Sequence, residues 1–229
     1  MKQLLILGAG TSGTMMSNHL RKALPKNEWN ITIVDNQKTH YYQPGFLFLP
    51  FDLYQTEQLK KTVAQFIPKG VNLIQESIDR IDKDNDKVFL QNNTEIHYDI
   101  LIIATGCDIA PQEIEGMQGD HWYKSIYDFY SFDGAKNLRD KLKTWKGGKL
   151  VVHICEMPIK CPVAPLEFAF LADDFFTKKQ MRDKVEIIYV TPMSGAFTKP
   201  VATKELSYLL DQKNINIVSD FNIEKVDTE

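Results

Sequence analysis

The sequence predicts an α/β protein made of two successive Rossmann-like units, each a doubly wound fold with a parallel sheet. Short, mainly apolar runs alternate with helical stretches along the whole chain, a pattern typical of parallel strands covered on both faces. A glycine-rich segment directly follows the first apolar run, as in folds that bind dinucleotides. Residues 77–91 read instead as two short strands around an Asp/Asn/Lys turn, which predicts a small antiparallel β excursion.

In the first half of the chain we predict buried strands at four apolar runs, residues 3–7, 31–34, 71–74 and 100–103. A helix should run from the glycine-rich segment to about Leu24, where Pro25 ends it. Thr56 can cap a second helix that ends near Ile67. Residues 39–54 are aromatic, contain prolines and show no clean period, so we expect a loop there.

The second half of the chain repeats the alternation of strands and helices. We predict strands at residues 150–154, 185–190 and 215–218, and helices at residues 132–145, 165–176 and 201–212. Residues 111–119 read as a linker, which places a domain boundary there. The predicted domains are residues 1–116 and residues 117–229.

Composition excludes several classes of protein. A hydrophobic fraction of 43%, a charged fraction of 25% and a net charge of −3 are those of an ordinary globular protein and disfavour a nucleic-acid partner. No apolar run approaches the roughly 20 residues that cross a bilayer. The apolar stretch at the start of the chain is too short for a signal peptide, so we expect residence on the cytoplasmic side. Three cysteines and five scattered histidines predict neither a disulfide framework nor a metal site.

The glycine-rich segment carries a dinucleotide fingerprint. Gly8-x-Gly10-x-x-Gly13 lies between a predicted strand and a predicted helix, and Asp35 closes the second strand. The glycines allow a tight turn, close approach of a pyrophosphate and close packing of helix on strand. We expect Asp35 to accept hydrogen bonds from the adenosine ribose, and its charge repels a 2′-phosphate, which favours FAD or NAD over NADP. A glycine-rich turn without a ligand is the alternative, but strand, turn, helix and acid are all in place.

A second motif decides between the two dinucleotides. The predicted strand at residues 100–103 ends in Ala104-Thr105-Gly106. Residues 98–106 resemble the second flavin motif of flavoproteins with two dinucleotide folds, in which such a strand ends against the cofactor. The resemblance implies FAD, with Thr105 and Gly106 beside it.

The second unit lacks the glycines that a nicotinamide dinucleotide would need. Residues 153–167 contain no glycine, and Pro158 and Pro162 remove N–H donors that a pyrophosphate would use. Cys161 stands there instead, just before a predicted helix, where the helix dipole and Lys160 favour its thiolate. A thiolate of this kind suits sulfur chemistry, and an inert buried cysteine is the alternative.

Two segments resemble one flavoprotein family. The pattern Pro158-x-Lys160-Cys161-x-x-Ala164-Pro165 resembles the catalytic-cysteine segment of sulfide:quinone oxidoreductases and flavocytochrome c sulfide dehydrogenases. Residues 42–50 are similar to the loop beside the flavin ring in that family.

The resemblance implies that sulfide bound at a pair of redox cysteines reduces the FAD and that a quinone reoxidises it at the membrane. Cys161 then matches the cysteine nearest the flavin, and Gln43 and Pro44 belong to the flavin contacts. It also implies peripheral membrane attachment of the full-length protein; the oligomeric state stays open, with a homo-oligomer as one alternative. The chain would lack the C-terminal part of the family fold, including the second redox cysteine, and would be an inactive fragment on its own.

Several alternatives stay open. Residues 125–127 carry no cysteine where some members of the family have one, which indicates a two-cysteine subtype without a covalent flavin link. For Cys107 and Cys155 we favour an inert role, although Cys155 could pair with Cys161; for Glu167 we favour the helix dipole over a proton relay. Competing functions are an NAD(P)H-dependent flavoenzyme, of the NADH:quinone or disulfide reductase kind, a non-catalytic FAD-binding module, and a sulfide dehydrogenase subunit with a cytochrome partner.

Overall fold

The computed structural model describes residues 1–227, which form two compact units. Unit 1 consists of Met1–Gln43 and Gln55–Asp108, and unit 2 of Pro44–Tyr54 and the described chain from Ile109 onward. These units divide the chain earlier than the predicted domains 1–116 and 117–229, and they assign residues 44–54 to the second unit. The physical reason is packing, because Leu47 and Phe51 are buried in the core of unit 2. The last two residues of the predicted second domain lie outside the described residues.

Unit 1 contains one helix, α1 (Thr11–Ala23), and nine strands. The strands are β1 (Lys2–Leu7), β2 (Trp29–Val34), β3 (Thr39–Tyr41), β4 (Lys60–Thr62), β5 (Val71–Ile74), β6 (Ile78–Asp82), β7 (Lys87–Leu90), β8 (Glu95–His97) and β9 (Ile100–Ile103). Four of them form a parallel sheet in the order β5-β2-β1-β9. The predicted strands and the parallel sheet of unit 1 are therefore confirmed.

The two faces of this sheet are covered by different elements. Successive side chains of a strand point to opposite faces, so Leu4 and Ile6 pack on the side that holds Leu20 of α1. Leu5 and Leu7 pack on the other side, against Val88 of β7. That side is covered by the antiparallel sheet β6-β7-β8, which confirms the predicted excursion and adds a third strand to it.

One predicted helix is wrong. The segment from Thr56 to Ile67 forms two 3₁₀ turns, Thr56–Leu59 and Val63–Phe66, on either side of β4. β4 pairs antiparallel with β3, which lies in the stretch predicted to be a loop. In this segment only Leu59 and Val63 are buried, so an α-helix would gain little from packing, and strand pairing wins over local helix propensity.

Unit 2 contains three helices and a second parallel sheet in the order β10-β11-β12. Its elements are α2 (Phe132–Thr144), β10 (Gly148–His153), α3 (Ala164–Lys178), β11 (Val185–Val190), α4 (Pro200–Gln212) and β12 (Ile215–Val218). Inward side chains of the sheet, among them Ile187 and Tyr189, pack with Leu138 of α2 and Phe176 of α3. The predicted second Rossmann-like unit is thus present, with a three-stranded sheet.

A buried carboxylate ties the ends of these elements together. Asp173 of α3 accepts hydrogen bonds from Arg182 Nε and Lys213 Nζ, each at 2.7 Å. Arg182 also donates to the carbonyl of Val185 at the start of β11 and to those of Lys213 and Asn214 after α4. Burial opposes ionisation of Asp173, but the hydrogen bonds and positive charges of Lys213 and Arg182 outweigh it and hold its pKa below the ordinary value.

We expect Asp173→Ala to lower the free energy of unfolding by about 2–3 kcal/mol at pH 7, because Arg182 and Lys213 lose their charged acceptor. A lowered folded-state pKa stabilises the fold above the unfolded pKa, and that stabilisation is lost as the pH falls through the folded pKa. The difference between wild type and variant should therefore shrink below about pH 4. Urea unfolding between pH 3 and pH 7 measures it.

Asp174→Ala is the matched control for this prediction. Asp174 is the next residue along α3 and forms an exposed pair with Lys178 at 2.7 Å. Exposed pairs contribute little, so its loss should cost less than about 0.5 kcal/mol at any pH. Equal losses for both variants would mean that the Asp173 network does not stabilise unit 2.

Candidate functional site

The loop between β1 and α1 needs two of its glycines for close packing within unit 1. Gly8 has φ +94°, and a Cβ on it would overlap the carbonyl oxygen of Ala104, which follows β9. A Cβ on Gly13 would overlap the carbonyl oxygen of Gly8. Gly10 differs, because a Cβ built on it meets no atom of the described residues within 4 Å. The backbone at Gly10 is therefore open to a ligand, as a pyrophosphate cradle requires.

The N-terminus of α1 suits an anion. The N-cap position is Gly10, and among the described residues no side chain caps the helix and no acidic residue lies in its first turn. The first N–H groups of a helix lack intrahelical partners, and the helix dipole favours negative charge beside them. A pyrophosphate fits this end of α1.

Asp35 and His40 hold the glycine loop through the N–H and the carbonyl of one residue, Ala9. The Ala9 N–H donates to Asp35 Oδ2 at 2.6 Å, and the Gln37 N–H donates to Asp35 Oδ1 at 2.7 Å. A carboxylate has about four acceptor positions, so Asp35 retains capacity for ribose hydroxyls. His40 Nδ1 lies 3.2 Å from the Ala9 carbonyl oxygen, which can only accept, so this nitrogen carries the proton. The His40 ring packs on Phe66 with centroids 4.3 Å apart.

The second flavin motif lies at the same edge of the unit 1 sheet. The Ala104 N–H donates to the Leu7 carbonyl at 2.7 Å, which keeps the chain beyond β9 beside β1. Thr105 and Gly106 follow it and are exposed, and Gly106 has φ +76°. The structure thus brings the glycine loop, Asp35 and Thr105–Gly106 to the carboxyl ends of neighbouring strands, where such folds bind ligands.

Gln43 and Pro44 fall on opposite sides of the division between the units. Both residues are exposed, and Gln43 begins the 3₁₀ turn Gln43–Leu47. Their contact with the cofactor stays a prediction.

Cys161 lies in the connection from β10 to α3, three residues before α3 begins. It is exposed and has a left-handed backbone conformation, with φ +56°. Its carbonyl oxygen accepts a hydrogen bond from the Ala164 N–H at 3.1 Å, which closes the turn into the helix. Pro165 occupies the first turn of α3, where a missing N–H costs little.

Tyr130 contacts the backbone of Cys161 and was not singled out by the sequence. Its hydroxyl donates to the Cys161 carbonyl oxygen at 3.2 Å. Burial raises the pKa of Tyr130 well above its ordinary value, and the charges of Cys161, Tyr189 and Glu167 raise it further. The hydroxyl therefore stays protonated and acts as a donor.

The other two cysteines differ from each other in exposure. Cys155 is half-buried, and burial raises the pKa of its thiol, with a further contribution from Glu156. A thiol held in its protonated form is a poor nucleophile, which supports the inert role. Cys107 follows the second flavin motif directly and is exposed.

Comparison with known proteins places the chain among flavoproteins. Residues 2–153 match the pyridine nucleotide-disulphide oxidoreductase family model. The mitochondrial sulfide:quinone oxidoreductase of Dictyostelium discoideum is 27% identical over 211 residues, which cover 92% of this chain and 46% of that protein. A type II NADH:quinone oxidoreductase of Staphylococcus aureus is 28% identical over 150 residues, covering 65% of this chain and 37% of that protein. The chain thus spans about half the length, or less, of these relatives.

A solved structure confirms the fold. The sulfide:quinone oxidoreductase of Aquifex aeolicus matches with a TM-score of 0.85 at 20% sequence identity, over 99% of this chain and 53% of that one. Across residues 1–227, helices that combine the length and the apolar character needed to cross a membrane are absent.

The resemblance to sulfide:quinone oxidoreductases drawn from residues 42–50 and 158–165 is confirmed by these relatives. The family match covers more than half of the sequence and includes the glycine loop, Asp35 and the second flavin motif. The chain belongs to the pyridine nucleotide-disulphide oxidoreductase family, and its cofactor is FAD.

Proposed function

We propose that this protein oxidises sulfide, or a related sulfur donor, at Cys161 and passes the electrons through FAD to a quinone. The observation that carries the proposal is an exposed cysteine in the turn before α3, where a nicotinamide-binding unit would have its glycine loop. A loop that contains Pro158 and Pro162 and no glycine offers few N–H donors to a pyrophosphate. The relatives named for sulfide and quinone support the same donor and acceptor.

The overall reaction balances as HS⁻ + H⁺ + quinone → S⁰ + quinol. Sulfide loses two electrons, the sulfane sulfur is carried on a cysteine sulfur, and the quinone takes up two electrons and two protons. Bound FAD supplies a two-electron acceptor between donor and quinone. Cys161 provides the sulfur atom that takes up the sulfane sulfur, and its backbone carbonyl accepts a hydrogen bond from the Tyr130 hydroxyl.

The cofactor residues have separate roles in this proposal. Gly8 and Gly13 shape the loop, and the open backbone at Gly10 with the N-terminus of α1 holds the pyrophosphate. Asp35 accepts from the ribose. Contacts to the rest of FAD come from the remaining predicted residues, Gln43, Pro44, Thr105 and Gly106. The proposal includes peripheral attachment to the cytoplasmic side of a membrane, where quinone is dissolved, and a homo-oligomer.

NADH is the competing electron donor, because type II NADH:quinone oxidoreductases also match this chain. The two donors are distinguished by anaerobic titration of the FAD-loaded protein with sulfide and, separately, with NADH, while the flavin absorbance is followed. We expect sulfide to bleach the flavin, a water-soluble quinone to restore its absorbance, and NADH at the same concentrations to leave it unchanged. Bleaching by NADH alone would assign the protein to the nicotinamide-dependent flavoenzymes.

A further inference from the structure

Cys161 is held in a backbone conformation that L-residues rarely adopt. Its φ of +56° lies in the left-handed region, where the Cβ crowds the following carbonyl. The next residue is Pro162, whose ring further restricts the conformation of the residue before it. Such residues persist only where their surroundings hold them, and they concentrate at functional sites. The contacts that hold Cys161 therefore bear on its chemistry.

Two hydrogen bonds converge on the Cys161 carbonyl oxygen. One comes from the Ala164 N–H in the first turn of α3, at 3.1 Å, and the other from the Tyr130 hydroxyl, at 3.2 Å. A carbonyl oxygen has two lone pairs, so these two donors fix the orientation of the peptide after Cys161. Ala164 belongs to the same turn, whereas Tyr130 lies in the segment before α2 and ties that turn to the rest of unit 2.

We propose that Tyr130 is a positioning residue, whose hydroxyl keeps Cys161 in the left-handed conformation and thereby fixes the direction of the thiol. The inference rests on the proposed function, since it gives Cys161 the sulfur chemistry. Tyr130 acts through the backbone of Cys161 and leaves the thiol itself exposed to a small sulfur donor.

Tyr130→Phe removes one oxygen atom and tests this role. The readout is the rate of Cys161 alkylation by iodoacetamide across pH 5–10, in protein whose Cys107 and Cys155 are replaced by serine. We expect the rate at neutral pH to fall about three- to tenfold, the equivalent of one hydrogen bond, because the thiol is no longer held in one direction in the turn before α3. A rate equal to that of the parent across the pH range would overturn the proposal.

Tyr127→Phe is the matched control. The Tyr127 hydroxyl also donates to a backbone carbonyl, that of Lys124 at 2.7 Å, in the same segment of the chain. Its loss should leave the alkylation rate of Cys161 within about twofold of the parent, because no bond to Cys161 is removed. A fall equal to that of Tyr130→Phe would assign the effect to general loosening of the segment.

If Tyr130→Phe does not fold, the stabilities of two variants at Cys161 test the same inference. Cys161→Gly should unfold at a higher urea concentration than Cys161→Ala, because glycine adopts a positive φ without steric cost. Equal urea midpoints for the two variants would mean that the backbone at Cys161 is not strained, so that Tyr130 would have no strained conformation to hold.

Alkylation needs neither FAD nor sulfide, so its outcome is separate from that of the proposed function. If sulfide does not bleach the wild-type flavin, the function fails whatever the alkylation rates are. If sulfide bleaches it and Tyr130→Phe alkylates like the parent, only the positioning role fails.

Discussion

Gly13→Ala should destabilise unit 1 by about 3 kcal/mol or more, whereas Gly10→Ala should fold normally and lose affinity for FAD. A Cβ on Gly13 would overlap the carbonyl oxygen of Gly8, which is backbone in a buried turn and cannot move aside without displacing α1 from β1. Overpacking typically costs about 1–3 kcal/mol, and a clash with backbone belongs at or above the top of that range. This is a large part of the roughly 5–15 kcal/mol that stabilises an ordinary domain.

Gly10→Ala should not destabilise the fold, because the space around Gly10 is open. Its φ of −69° and ψ of −166° suit alanine, and the added methyl meets no atom of the described residues within 4 Å. Alanine should therefore leave the stability of the apo-protein unchanged or raise it by a few tenths of a kcal/mol. The same methyl occupies the space that a pyrophosphate must enter, so we expect FAD to bind at least about tenfold more weakly.

Urea unfolding of the apo-proteins and fluorescence titration with FAD separate the two effects. Wild-type FAD affinity in Gly10→Ala would show that no phosphate approaches this backbone. Wild-type stability in Gly13→Ala would contradict the packing of α1 on the glycine loop.

The parallel strands were predictable because their positions are decided locally. A strand buried on both faces must be apolar, as residues 4–7 are, and such runs are recognised without knowing their neighbours. The same holds for the glycine loop, where the residue types follow from the turn itself and from packing against β1. The helix predicted at residues 201–212 begins one residue earlier, at Pro200, since proline is favoured in the first turn of a helix.

Features that depend on distant partners were not predictable. The segment from Thr56 to Ile67 has residues that can form a helix, and it forms β4 only because β3 offers a pairing edge. His40 and Tyr130 each contact the backbone of a residue about 31 positions away along the chain, and periodicity carries no signal for such bonds. Residues 44–54 count with unit 2 because Leu47 and Phe51 pack there, although the chain on both sides belongs to unit 1.

Cys161→Ser should abolish reduction of the flavin by sulfide while leaving FAD binding unchanged. A serine hydroxyl is not ionised near neutral pH and forms no bond that carries sulfane sulfur, so we expect a loss of more than about 10³-fold in the rate of flavin bleaching. Serine has nearly the shape of cysteine, and the hydrogen bonds from Tyr130 and Ala164 go to the backbone carbonyl, so the turn before α3 should persist. Stopped-flow absorbance under anaerobic conditions measures the rate.

Cys155→Ser and Cys107→Ser are the controls that show whether the loss is specific to Cys161. The half-buried Cys155 thiol has its pKa raised by burial, so it is protonated at neutral pH, and its replacement should change the rate less than about threefold. Cys107 lies beside the second flavin motif, and its replacement should likewise leave sulfide reduction intact. A loss in Cys155→Ser as large as that in Cys161→Ser would make the two cysteines a redox pair within this chain. Flavin reduction at the wild-type rate in Cys161→Ser would mean that Cys161 is not the residue that takes up sulfur.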